Sequence, residues 1–378
     1  MSAKELTSRR VFLRRGLTLV ASAGAVPVSR ARSARAVGPA GAGGGGLRRR
    51  VPNDHILVIV ELVGGNDGLN TVIPVRNDLY YAYRPGLGIE RRAALQIDDT
   101  HSFHPALRGL KALYDQGLLA IVQGVGYPNP TRSHIRSMQV WHTASPDGAL
   151  AGDWISRCFD SACQCERRRG PHAGTALMPA AALKMGGGEF GPIGLQHAQH
   201  LPVRAASCAS LPLAAALRAV GRAITSRVPA RIYRVSQGGY DTHCGQAIRH
   251  GHLLTGLGGA LKLLVDDLRA AGQLDRVAIM TVSEFGRRVE ENATGGTDHG
   301  EAGPMFVMGG QIRPGIYGRG PRLDRDQLHR GDLAWTTDFR RVYAAALKDW
   351  LAADADSILG EAFEALPIFR RRSGGFLL

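Results

Sequence analysis

Residues 55–68 read HILVIVELVGGNDG. The first nine are a short, nearly unbroken apolar run, and Gly64 and Gly65 stop it. A run without two-residue alternation leaves no face for water, so it predicts a central strand of a parallel sheet, covered on both sides. The same grammar recurs along the chain. Leu118–Val122 and Val277–Val282 (VAIMTV) read as further buried strands, and Arg231–Val235 and Met305–Met308 as shorter ones. Helical spacing marks Pro105–Gln116 through Leu107, Leu110 and Leu113, and also Leu213–Ile224, Leu253–Ala271 and Phe339–Leu351. Ser133 stands where an N-cap would open another helix. Strands alternating with helices predict an α/β fold, a largely parallel central sheet flanked by helices on both faces. Residues 158–205, rich in Gly, Pro, Arg and His, are expected to form an irregular excursion over the surface and could cap a site.

The amino terminus has a different character. Ser8-Arg9-Arg10-Val11-Phe12-Leu13-Arg14, a weakly apolar stretch from Gly16 to Val28 and Ala34-Arg35-Ala36 follow one another in the order of a twin-arginine (Tat) export leader and its cleavage site. The apolar stretch is too short and too rich in Gly, Ala and Ser for a membrane span, which needs about 20 strongly apolar residues. The expected organisation is a Tat signal peptide at 1–36, a flexible Gly/Ala/Arg linker at 37–51 and a single domain at 52–378. The Tat translocase is then the expected partner during export. The mature chain, without a stable membrane span, is expected in the periplasm or outside the cell.

That leader also accounts for most of the basicity. The chain has 47 Lys and Arg against 32 Asp and Glu, a formal charge of +15. Residues 1–51 hold eleven of the basic residues and one of the acidic ones, so they supply +10, and the remaining +5 is spread thinly. No electrostatic footprint for a polyanion is left, and nucleic acid is not an expected partner. Five cysteines are too few for a disulfide scaffold, and Cys158, Cys163 and Cys165 match no common zinc spacing.

In open α/β sheets the ligand crevice lies beyond the carboxyl ends of the strands. Asp67 follows the first strand there, Ser133 and His134 the loop after another, Asp241 and His243 the strand ending at Val235, and Glu284 the strand VAIMTV. Asp298 and His299 precede Met305. Acids and imidazoles of this kind suit Zn, Mn, Fe, Mg or Ca, and two ions could be held. Each residue also has a plainer reading. Asp67 can serve the turn, Asp241 can cap a helix, and Glu284 can pair with Arg287. Gly296-Thr297-Asp298-His299-Gly300 is the most specific, because packing gives no reason to keep two potential ligands between glycines. Phosphate-loop patterns are missing: Gly64–Gly68 has neither the G-x-G-x-x-G spacing nor a following Lys-Ser/Thr, and no G-x-S-x-G elbow occurs.

With these residues in view, the chain resembles the bacterial family catalogued as domain of unknown function 1501. The resemblance is carried by ELVGGNDGLNTVIP (61–74), Arg84-Pro85, TRSH (131–134), QGGYDTH (237–243), SEFGRRVEEN (283–292), GTDHG (296–300) and TTDFRRVYAAAL (336–347). It is similar to a branch of the alkaline-phosphatase-like superfamily, with the sulfatases and phosphodiesterases. The resemblance implies an alkaline-phosphatase-like fold, divalent metal ions on Asp67, Asp241, His243, Glu284, Asp298 and His299, and Ser133 as nucleophile toward a phosphorus or sulfur ester. Arg132 and Arg287 would bind the oxyanion as forked donors. Asp241 and His243 stand closer together than the superfamily spaces them, and Asp298-His299 lies well beyond the Glu284 strand end. These departures imply either a site rebuilt around Glu284, Asp298 and His299 or one that has lost its metals. The expected function is thus an exported metal-dependent hydrolase of a small anionic ester. One alternative is a non-catalytic relative that binds an envelope glycan or protein. Another is a metal-free serine hydrolase, for which His134, the immediate neighbour of Ser133, is poorly placed as base.

Overall fold

The computed structural model describes residues 54–168, 181–185 and 212–370. The leader, the linker and most of the expected excursion at 158–205 lie outside them. The apolar run after His55 forms Ile56–Leu62 (β1), buried along its whole length. The other strands of its sheet are Leu119–Gly126 (β2), Ala181–Met185 (β3), Ala230–Gln237 (β4), Val277–Ser283 (β5), Gly303–Gly309 (β6), Gly315–Tyr317 (β7) and Thr337–Asp338 (β8). Across the sheet the order is β7-β2-β6-β5-β1-β4-β3, with β8 also paired to β2.

Most of these pairs are parallel, as the alternation of strands and helices requires. β6 differs, running antiparallel to both β5 and β2. This places β6 with its amino-terminal end at the edge where β1, β2, β4 and β5 finish. Residues that precede β6 therefore meet residues that follow the others. Register completes the alignment, since Leu62 pairs with Gln237 of β4 and with Ser283 of β5. Three chains leave the sheet at one height.

Both faces of the sheet are covered. Leu57 and Ile59 of β1 join a core beneath the helices His134–Thr143 (α2), Trp154–Arg168 (α3) and Phe339–Ala344 (α6). Ile56, Val58, Val60 and Leu62 turn to the opposite core, under Arg108–Asp115 (α1), Leu213–Thr225 (α4) and Gln246–Ala270 (α5). Truncating such a residue to alanine costs about 2–5 kcal/mol, so β1 anchors both layers. Helix α1 lies against α5 through Gly109: a Cβ there would stand 2.1 Å from the carbonyl oxygen of Gly258, so only glycine permits this approach.

Two expectations are corrected. Helix α3 continues to Arg168, where an irregular excursion was expected from 158, because Trp154, Ile155 and Cys158 give it a buried face. Helix α5 begins at Gln246 rather than Leu253: its first turns bury Gln246 and His250, polar residues that hydrophobic periodicity does not register. Among the described residues no helix is long and apolar enough to cross a membrane.

Candidate metal centre

Four side chains from three chain crossings meet at the aligned strand ends. Asp241 follows β4, His134 is the first residue of α2, His299 precedes β6, and His243 lies two residues beyond Asp241. Nε2 of His299 and Nε2 of His243 each lie 3.0 Å from Oδ1 of Asp241. Nε2 of His134 lies 3.6 Å from Oδ2, and the Nε2 atoms of His243 and His299 are 3.0 Å apart. His134, Asp241 and His299 each offer a ligand atom within 4.8 Å of the others, so they could hold a metal ion.

The far side of each imidazole is already engaged. Nδ1 of His134 meets Oε1 of Glu284 at 2.8 Å, and Nδ1 of His243 meets Oδ1 of Asp298 at 2.9 Å. Nδ1 of His299 lies 2.8 Å from the carbonyl oxygen of Arg132. A carbonyl cannot donate, so His299 carries its proton on Nδ1, and carboxylate partners favour the same tautomer in the other two. The three Nε2 atoms then turn lone pairs toward one another and toward a carboxylate. Two N–H groups could not face each other at 3.0 Å, and a cation is the partner that suits such a set of acceptors. The spacing suits one ion for His134, Asp241 and His299, whose ligand atoms are mutually within reach, while His243 lies beside that group rather than within it.

Local folding accounts for these positions. The Ser133 side chain accepts from the Arg136 N–H as N-cap of α2, so His134 enters the helix as its first residue. Gly296 lets the segment carrying Asp298 and His299 pass directly over the preceding loop, since a Cβ there would lie 2.3 Å from the carbonyl carbon of His243. Phe285, itself buried, packs against the rings of His299 and His134 with centroids 4.5 and 5.1 Å away.

Electrostatics distinguish the acids. Burial works to raise Asp241, but the hydrogen bond and charge of the Arg287 guanidinium outweigh it and hold the carboxyl down at about 2. Asp298 is lowered by its hydrogen bond with His243, which outweighs burial. Glu284 is raised by burial in spite of His134. Its Oε1 also accepts from the Gly64 N–H at 2.5 Å, while its buried Oε2 has no hydrogen-bond partner among the described residues.

The other expected site residues are placed differently. Asp67 is buried in an ion pair with Arg84 at 2.5 Å and also accepts from the Gln246 amide, so its oxygens serve the interior and not the histidine cluster. Burial would raise it, but the Arg84 charge and hydrogen bond leave it below the ordinary range. Glu284 and Asp298 stand behind histidines, orienting them. Arg287 is not available to an oxyanion. Its guanidinium donates to the carbonyls of Gly65 (2.9 Å), Thr297 (2.8 Å), Gly64 and Tyr240 (2.9 Å), and to Asp241 (2.7 Å). Arg132 pairs with buried Asp332, which Arg288 also approaches. Ser133 is exposed. The sequence reading had set His134 aside as a base and overlooked it as a ligand. Its position at the start of a helix beyond a strand end was the available signal. Cys158 is buried and free, and Cys163 and Cys165 have side chains outside the described set.

Comparisons with known proteins follow this geometry. No curated protein matches the chain by sequence. Among solved structures, the C-terminal periplasmic domain of EcEptC from Escherichia coli, in complex with Zn, aligns at 10% identity with a TM-score of 0.39, covering 68% of this chain and 74% of that one. The lipoteichoic acid synthase LtaP from Listeria monocytogenes aligns at 9% identity and 0.38, covering 75% and 74%. Murine ectonucleotide pyrophosphatase/phosphodiesterase 5, inactive and in complex with AMP, aligns at 10% and 0.38, covering 83% and 96%. The fold class is α/β, and residues 213–352 match the family described as Protein of unknown function (DUF1501), the one its motifs resemble.

Proposed function

We propose that this protein is a metal-dependent hydrolase of a phosphate or sulfate ester, exported through the twin-arginine route and working outside the cytoplasm. The observation that carries the metal is the convergence of three Nε2 atoms on the Asp241 carboxylate with every Nδ1 already engaged. His134, His299 and Asp241 would hold the ion, with His243 beside them. When bound, it would supply Lewis acidity to the ester oxygens and lower the pKa of a nucleophile.

The chain's own residues prepare that chemistry. Glu284, Asp298 and the Arg132 carbonyl fix the tautomer and orientation of the three rings, as outer partners of histidine ligands do. Arg287 fixes the Asp241 carboxylate and balances its charge. Ser133, exposed beside His134 at the start of α2, offers a hydroxyl where the amino-terminal helix dipole favours negative charge. The hydrolase assignment rests on the resemblance of the motifs to a branch of the alkaline-phosphatase-like superfamily, and the export assignment on Arg9-Arg10 and the stretch after them.

Full-length protein assayed for bound metal and for turnover of aryl phosphates and aryl sulfates tests this reading. Metal that is lost in His299→Ala, with turnover lost on chelation, is the expected result. Absence of both metal and turnover overturns it. Turnover that survives Ser133→Ala removes the proposed nucleophile, and turnover indifferent to chelation points to a metal-free serine hydrolase.

A further inference from the structure

A second cavity, of about 130 Å³, opens at the same edge of the sheet but beyond β2 and β6. Leu69, Val72 and Leu333, all buried, supply apolar wall. Gln123, near the end of β2, also lines the cavity. It is 3% exposed, and its buried amide nitrogen has no hydrogen-bond partner among the described residues. Gln327 and Thr336 add neutral polar groups, and two arginines add charge. Arg319 and Arg322 line the cavity and are exposed; Arg322 donates to Gln327 at 3.1 Å, and Arg319 makes no side-chain hydrogen bond or ion pair among the described residues.

An unpaired buried amide costs about 1–3 kcal/mol, so a chain that keeps one beside a cavity gains nothing from it until an oxygen acceptor arrives. A cavity of about 150 Å³ takes a molecule the size of benzene, which sets the scale of the guest. Apolar walls, one unpaired amide and two guanidiniums together complement an apolar body of that size bearing an anionic group, with acceptor oxygens for both kinds of donor. We infer that this cavity is a binding site for a small organic anion of that kind, an aromatic or branched aliphatic carboxylate. None of its lining residues belongs to the histidine cluster, so the site stands or falls apart from the hydrolase reading.

Benzoate is the probe, titrated into full-length protein by calorimetry, with benzyl alcohol as its uncharged counterpart. Saturable binding of benzoate is expected, with much weaker binding of the alcohol. Arg319→Ala/Arg322→Ala, two surface changes, should weaken benzoate about tenfold or more, as loss of charge-assisted hydrogen bonds does. Gln123→Met should weaken it about fivefold. The same substitution should raise the melting temperature of the unliganded protein, because it removes an unsatisfied buried donor. That pairing of tighter fold with poorer binding would not follow from a packing role. The inference is overturned if benzoate does not saturate, if both variants bind it as the wild type does, or if a chelator abolishes binding, which would move the anion to the histidine cluster.

Discussion

Two acidic regions leave the sheet side by side and reach opposite solutions. At Asp241 a carboxylate faces three imidazole nitrogens whose protons point elsewhere, and solvent reaches the group from outside. At Asp67 a carboxylate on a neighbouring loop is fully buried and receives Arg84, Gln246 and the Asn70 N–H. Behind it, Asn66 bonds His250, which burial pushes down to about 4 and so keeps neutral. Both acids follow strands and precede small or polar residues, and the sequence treats them alike. The difference lies in who supplies the protons. Donors surround Asp67, so its charge is satisfied within the chain. Acceptors surround Asp241, relieved by Arg287 on one oxygen, so the cluster has room for a cation.

This contrast can be broken most severely at Asp67. Asp67→Ala strands the Arg84 charge in the interior and should cost about 3–5 kcal/mol in denaturant unfolding, with metal per folded molecule unchanged. Replacing both partners, Asp67→Ala with Arg84→Met, should recover part of that loss. His299→Ala should do the reverse. Structural zinc sites bind with about 10–16 kcal/mol, so losing one of the donors should weaken metal binding roughly a hundredfold or more, while metal-free stability stays within about 1 kcal/mol. If metal content followed Asp67 and stability followed His299, the division drawn above would be inverted. Smaller effects sharpen the picture. Glu284→Gln and Asp298→Asn keep side-chain size but weaken the hold on a ring, and each should lower metal affinity about 10- to 100-fold by competition titration. Ser133→Ala should cost about 0.5–1 kcal/mol as a lost cap, since its bond to Arg136 is a long 3.5 Å. A turnover loss far beyond that would separate chemistry from capping.

Local pattern carried much of this molecule. The buried run at β1, the strand at VAIMTV and the placement of polar clusters at strand ends are all properties of neighbouring residues. What escaped depends on partners far away in sequence. Arg84 lies close to Asp67 along the chain, but Val289 and Arg288 fix its guanidinium through their carbonyls, and nothing local announces that. Arg287 looks like a free anion binder until the carbonyls of three loops are seen around it. The direction of β6 was equally hidden, because a short apolar strand reads the same in either sense. His134 was overlooked because the cap before it is legible, but the carboxylates its ring meets, Asp241 and Glu284, lie far along the chain.

The contact between Gly109 and Gly258 has a mechanical consequence. Helix α5 spans 25 residues, about 37 Å, and it begins with the two side chains, Gln246 and His250, that hold the loop after β1 from below. The glycine contact lies toward the middle of this rod and acts as its fulcrum. A methyl group added at Gly109 would not touch the polar residues at the far end, yet by lifting the rod it would swing them away from Asn66 and Asp67. Damage at the strand ends would then originate one helix layer away, in a place where no charge, ligand or proton is involved.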